Sequence, residues 1–307
     1  MAKNVFLFSG QGSQYVGMAK ELCDKYPAAK AVFDKANDIL GYDIAEIAFN
    51  GPEEELGKTI NSQPAIMACS LAAFEAAKAE GIEFDGVAGH SLGEYAAMVA
   101  AGVVTMEDGF KLIKARASAM QKAAESASGA MYAIIGLDAA EVERVCEDTE
   151  GYVVPVNYNS SVQTVIAGET AACEAAVAKF AEMKKKAIKL GVASAFHSKL
   201  MQPAAEEFIG AAKEITFKPA EKEFYSNVLG ERLTDFSNMP ELLAKHIVSP
   251  VKFTSELAEM DKAGYENYIE LGPNKVLTGL VKKTLKGSNA VNIENEATLA
   301  KALEALK

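Results

Sequence analysis

The sequence predicts an α/β protein in two parts, a large domain built on a parallel sheet and a small ferredoxin-like domain inserted into it. Three observations carry this. Two apolar runs, Val5 to Phe8 and Gly86 to Ala88, each lead into a glycine-bearing loop, as strands buried on both faces of a parallel sheet do. The second run passes through Gly89-His90-Ser91-Leu92-Gly93 into a helix, Glu94 to Ala101, whose central turns are apolar all round and therefore belong deep in the fold. Between Ser126 and Val192 the texture changes to a compact βαββαβ alternation, the ferredoxin-like unit.

Size and composition allow this and exclude several alternatives. A chain of 307 residues can bury one large or two unequal cores. With 31 basic against 42 acidic residues the net charge is -11, which argues against general binding to nucleic acid or anionic membrane. No apolar run approaches the ~20 residues that cross a bilayer, and Val5 to Phe8 falls short of the ~7–15 apolar residues of a secretory signal. A cytoplasmic protein is expected. Cys23, Cys69, Cys146 and Cys173 lie far apart with neither C-x-x-C nor zinc spacing, so buried reduced thiols are expected.

In chain order, Asn4 to Phe8 reads as the first strand and Ser9 to Gln14 as a Gly-rich loop at its end. A dinucleotide fingerprint fails there because Tyr15 stands where the third glycine belongs. Gly57-Lys58-Thr59 imitates the end of a phosphate-binding loop, but the spacing is one residue too long and Glu53, Glu54 and Glu55 would repel the phosphate. An alanine-rich helix follows from Ala65 to Glu80, closed by Gly81. After the 94–101 helix, Met106 to Glu125 reads as another helix with an apolar stripe of Phe110, Ile113, Ala117 and Met120.

The insert then reads as a strand (Met131 to Leu137), a helix (Asp138 to Thr149), two strands (Val153 to Asn159, Thr164 to Gly168), a helix (Thr170 to Lys184) and a last strand (Ala187 to Val192). Lys184, Lys185, Lys186 and Lys189 are read as a solvated helix end. The chain returns to the large domain through Ser194 to Ser198. Strands at Phe224 to Val228 and Tyr268 to Leu271 and helices at Pro240 to Ile247 and Thr298 to Leu306 complete it. The expected domains are thus 1–127 with 193–307, and 128–192 between them.

Candidate chemistry starts at Ser91. A serine flanked by glycines at a strand-to-helix corner reads as a nucleophile elbow, and the free amide of Leu92 there can donate to an oxygen on the carbon that Ser91 attacks. An ordinary glycine-rich turn whose serine caps a helix is the bland alternative. Arg116 lies among Leu112, Ile113, Ala119 and Met120, so its guanidinium needs an anion; an internal carboxylate or a snorkelling side chain would serve as well. Serine needs a base, and the chain has three histidines. His90 precedes the serine and should point away from it, and His246 sits in a helix-like stretch. His197, on the returning loop, is the best candidate. No acid is obvious as its partner, but a backbone carbonyl can orient an imidazole equally well. The large domain is α/β-hydrolase-like, yet the interval where that family places its acid is taken by the insert, which argues against membership.

Several motifs together, in order, are far more specific than any one. Phe8-Ser9-Gly10-Gln11-Gly12-Ser13-Gln14, Gly89-His90-Ser91-Leu92-Gly93-Glu94, Arg116 in its helix, Asn157-Tyr158-Asn159-Ser160 with Val165-Ile166-Ala167-Gly168, Phe196-His197-Ser198-Lys199-Leu200-Met201 and Glu270-Leu271-Gly272-Pro273 all occur. Over essentially its whole length the chain resembles the malonyl-CoA:acyl carrier protein transacylases of type II fatty-acid synthesis. The resemblance implies that Ser91 is acylated, His197 is general base and acid, and the amides of Gln11 and Leu92 form the oxyanion hole. It further implies that Arg116 clamps the malonyl carboxylate and that a backbone carbonyl near Ser249-Pro250 orients His197. The family often has glutamine three residues before that Ser/Asn-Pro pair, where this chain has His246. The implied substrates are malonyl-CoA and the phosphopantetheine thiol of acyl carrier protein, with no metal or bound cofactor. Met120 and Phe196 are expected as apolar walls, and Lys282-Lys283 or Lys184 to Lys189 as a basic face for an acidic carrier. A polyketide-pathway acyltransferase, a thioester hydrolase of the same fold and an inactive carrier-binding scaffold are the alternatives.

Overall fold

Among the described residues, 2–126, 128–192 and 194–307, the computed structural model has ten strands. They are β1 (Lys3–Phe8), β2 (Gly86–Gly89), β3 (Ala130–Ile135), β4 (Val153–Ser160), β5 (Gln163–Gly168), β6 (Lys186–Lys189), β7 (Glu223–Ser226), β8 (Glu231–Leu233), β9 (Tyr265–Leu271) and β10 (Asn289–Ile293). The order β10-β9-β1-β2-β7-β8 makes a six-stranded sheet, parallel except at its β8 edge. The order β4-β5-β3-β6 makes a four-stranded antiparallel sheet, the ferredoxin-like arrangement. All four of its strands come from the stretch between β2 and β7. The boundaries read from sequence fall beside Ala127 and Ala193, which with Met1 lie outside the described residues.

The apolar run of β1 is buried on both faces for the expected reason. Phe6 and Phe8 point into the core beneath the long helices, while Val5 and Leu7 point into a second core with Tyr268, Leu257 and Leu280. Strand β1 pairs in parallel with β2, Phe8 opposite Gly89, so the loops leaving both strands emerge side by side. The small sheet also has two apolar faces. Tyr132, Ile134, Val153 and Ile166 pack under its two helices (Ala139–Glu147 and Thr170–Glu182), and Met131, Ala133, Val165 and Ala167 join the large core.

Three further details bear on the site. The alanine-rich helix spans Thr59–Ala79, starting before the expected Ala65, with Pro64 inside it. Proline lacks the N–H that would bond the Ile60 carbonyl, and the Tyr42 hydroxyl donates to that carbonyl instead, at 3.2 Å. Lys186 and Lys189 lie on strand β6 rather than at a helix end, because the Thr170–Glu182 helix stops before the lysine run. Strand β4 is bonded to the large domain: Val251 N donates to Val156 O at 2.8 Å and Tyr158 N to Val251 O at 2.9 Å. Helices Gln202–Lys213, Phe253–Lys262 and Val276–Thr284 and strands β8 and β10 were not foreseen from the sequence.

Candidate active site

Sterics place Ser91. A Cβ on Gly89 would lie 2.0 Å from the Gly93 carbonyl carbon, and one on Gly93 would lie 2.1 Å from the Phe8 carbonyl oxygen, so only glycines let strand, turn and helix meet this closely. Ser91 itself is held at φ 54, in the left-handed region a serine rarely adopts. Its amide donates to Asn227 Oδ1 at 2.7 Å, and helix Gly93–Ala100 begins just beyond it.

His197 arrives from a segment 106 residues away and takes the same kind of backbone, φ 61. The turn that holds it is braced by Ser198, whose Oγ donates back to the Ala195 carbonyl at 2.6 Å. His197 Nδ1 lies 3.0 Å from the His246 carbonyl oxygen and 3.1 Å from that of Ser249. Both are acceptors, so Nδ1 carries the proton and Nε2 is bare. That bare nitrogen accepts from the Ser91 hydroxyl at 2.7 Å. Burial, and then the Arg116 cation, hold the His197 imidazole down at about 3, so the ring is neutral near pH 7.

Arg116 comes from the Met106–Ser126 helix and is 1 % exposed. One of its terminal nitrogens donates to Gln63 Oε1 at 2.7 Å and the other to Ser91 Oγ at 3.1 Å. Its Nε has no acceptor, and among the described residues no carboxylate lies within 4.0 Å of the guanidinium. The internal carboxylate that the sequence left open is thus not in direct contact with the guanidinium among the described residues, although Glu94 lies near enough to act on it through space. A buried cation in that position is competent to receive an anion brought by a substrate.

The remaining sequence-derived residues converge on the same place. Gly10 passes so close to the elbow that a Cβ there would lie 2.7 Å from the His90 carbonyl oxygen, which brings the Gln11 loop alongside Ser91. The backbone amides of Gln11 and Leu92 donate to no protein acceptor among the described residues. Gln11, Ser91, Met120, Phe196 and His197 line one cleft of about 440 Å³ between the two sheets. His90 is turned from Ser91, as expected, and its Nε2 donates to Asn159 Oδ1 on β4 at 2.8 Å. His246 is wholly buried in helix Met239–Val248 and reaches His197 through its carbonyl.

Sequence reasoning missed Gln63, which supports the guanidinium, and Asn227, which supports the Ser91 amide. Their partners lie 53 and 136 residues away, so no local pattern marks them. One signal was available: Glu94 is a lone carboxylate in an otherwise apolar helix and is fully buried, which requires a polar partner.

Comparison with known proteins identifies the family. The family model of the acyl transferase domain matches residues 5–303. The malonyl CoA-acyl carrier protein transacylase of Bacillus subtilis is 39 % identical over 311 aligned residues, covering 100 % of this chain and 98 % of the relative. The crystal structure of the Clostridium perfringens transacylase of the same name is 39 % identical, with a TM-score of 0.95 over 99 % of this chain and 97 % of that one. A malonyl-transacylase solved in complex with a type II PKS acyl-carrier protein is 36 % identical, with a TM-score of 0.94 over 99 % of both chains. On that shared fold, with the Ser91 hydroxyl in contact with both an imidazole and a guanidinium, the chain belongs to the acyl transferase family, among the malonyl CoA-acyl carrier protein transacylases.

Proposed function

We propose that the protein transfers the malonyl group of malonyl-CoA to the phosphopantetheine thiol of acyl carrier protein through a malonyl ester on Ser91. The observation that carries this is Arg116: a buried guanidinium without a carboxylate partner among the described residues, 3.1 Å from the Ser91 hydroxyl, suits a short acyl group ending in a carboxylate. Malonyl is such a group, and its relatives' names point the same way.

As Ser91 Oγ attacks the thioester carbonyl, its proton passes to His197 Nε2. The oxyanion sits between the Gln11 and Leu92 amides, whose N–H groups are otherwise uncommitted among the described residues. Collapse expels the CoA sulfur, which takes the proton from His197 and leaves as thiol. The carrier thiol then repeats the steps in reverse, giving its proton to His197, displacing Ser91 and returning the serine proton. Nδ1–H stays bonded to the His246 and Ser249 carbonyls throughout, so the ring keeps its aim. The route draws on protein groups alone and calls for no cofactor or metal.

The carrier meets the exposed Lys282 and Lys283, at the end of the helix whose first residue, Val276, lines the cleft. A fatty-acid carrier is the first reading. A polyketide carrier is the second, favoured by similarity to the transacylase solved with a type II PKS carrier. The place of action is the cytoplasm, a reading supported by four buried, unpaired cysteines. Labelled malonyl transfer to holo carrier protein, with acetyl-CoA as the comparison donor, tests the proposal; equal transfer from both donors would sink it.

The His197 environment adds a pH prediction. Only the neutral ring can accept the serine proton, and depression of its pKa to about 3 keeps it neutral down through the ordinary imidazole range. Acylation kcat/KM, which reports the free enzyme, is expected to stay flat from pH 8 through 6.5 and to fall only below about pH 5. An acid limb centred near 6.5 would contradict the assignment.

A further inference from the structure

A second polar cluster adjoins the dyad without lining the cleft. Asn227, Glu94, His246 and Glu256 are all 0 % exposed, and none serves the chemistry above through its side chain. Asn227 is their hub. Its backbone N donates to Glu94 Oε2 at 3.0 Å, and its Nδ2 donates to the Gly89 carbonyl at 2.7 Å and to Glu256 Oε1 at 2.8 Å. Its Oδ1 accepts from the Ser91 amide at 2.7 Å and from His246 Nε2 at 3.1 Å.

Chemistry fixes which way this amide points, since the Ser91 N–H can only donate and the Gly89 carbonyl can only accept. Both donors and both lone-pair directions of the side chain are then used. Asn227 therefore brackets the elbow, bonded to the residue two before the nucleophile and to the nucleophile itself. Ser91 sits at φ 54, a conformation that persists only where its surroundings over-determine it. The same Oδ1 also holds the ring of His246, whose carbonyl accepts from His197 Nδ1. One oxygen thus connects to Ser91 directly and to His197 through a single residue.

We propose that Asn227 is a positioning residue that sets the Ser91–His197 distance, with the His246 imidazole as its second support. This rests on the reading of Ser91 as nucleophile. The cluster works with uncharged groups: burial pushes Glu94 up to about 8 and Glu256 well above the carboxylate range, and holds His246 well below the imidazole range. The 3.8 Å approach of His246 Nε2 to Glu94 Oε2 is accordingly a contact between neutral side chains. A neutral cluster supplies direction without adding a field that would change the basicity of His197.

The test compares Asn227→Ala, His246→Leu and His246→Gln in the full chain. The rate of malonyl-Ser91 formation is read by rapid quench and intact mass, normalised to folded protein by circular dichroism. Because misplacing reacting groups by about 1 Å can lower rates about 100-fold, Asn227→Ala is expected to lower kcat about 100-fold while KM for malonyl-CoA stays within about threefold. His246→Leu keeps the carbonyl that His197 uses and removes only the bond to Oδ1, so a loss of about tenfold is expected, in line with one lost buried hydrogen bond. His246→Gln, whose amide can donate to the same oxygen, should recover most of that loss. A purely structural role would lower the folded fraction and leave kcat per folded molecule alone, and that result overturns the proposal. Equal rates for His246→Leu and His246→Gln also overturn it, and this pair decides the matter if Asn227→Ala does not fold. Absence of any malonyl-Ser91 adduct in the unaltered protein would instead reject the reading beneath it.

Discussion

Ser91→Ala is expected to abolish transfer, with a loss of at least about 10⁴-fold in malonyl turnover and no acyl adduct on the chain. The substitution removes the oxygen that donates to His197 Nε2 and accepts from Arg116, while leaving the backbone amide bonded to Asn227. Alanine adds no bulk at this partly buried turn, and the bond that holds the left-handed backbone remains. The protein should therefore stay folded, and thermal unfolding of the variant should match the parent within a few degrees. Intact mass after mixing with malonyl-CoA is the direct measurement: one malonyl on the parent, none on the variant. A malonylated variant would move the nucleophile elsewhere.

Arg116→Ala is expected to separate donors. Truncating one side of a buried charge pair costs about 3–5 kcal/mol, so malonyl-CoA kcat/KM should fall by about 10²–10⁴-fold. Acetyl-CoA has no carboxylate to lose its partner. Its rate should change by less than about tenfold, the remaining effect coming from the single hydrogen bond between the guanidinium and Ser91 Oγ. Carboxylate pairing therefore outweighs the serine contact, and the ratio of the two donors measures it. Equal losses with both donors would assign Arg116 to the serine alone.

Much of this was legible because the residues concerned carry local signals. The β1 run, the glycine-flanked serine and the βαββαβ rhythm each announce themselves within a few residues, and the structure forms each of them. Arg116 was legible as a contradiction, a cation in apolar company. Other parts gave weaker or misread signals. The helix read from Ala65 begins earlier, at Thr59, because Tyr42 satisfies the carbonyl that Pro64 leaves without a donor. Strand β10 is a short, half-buried edge whose asparagines, Asn289 and Asn292, leave little apolar pattern to mark a strand. Gln63, Asn227 and Glu256 look ordinary in sequence, because their significance lies in partners brought near by folding.

The main-chain bonds between Val251 and strand β4 carry a mechanical consequence. Val251 follows closely on Ser249, one of the two carbonyls that steady His197, so swinging the small sheet outward would break bonds next to the base it has to preserve. The position of the small sheet and the aim of the imidazole are therefore tied together through residues 249–251. A substitution that loosens the small sheet at Val251 would accordingly be felt at the base as well as at the cleft wall, because one short segment serves both.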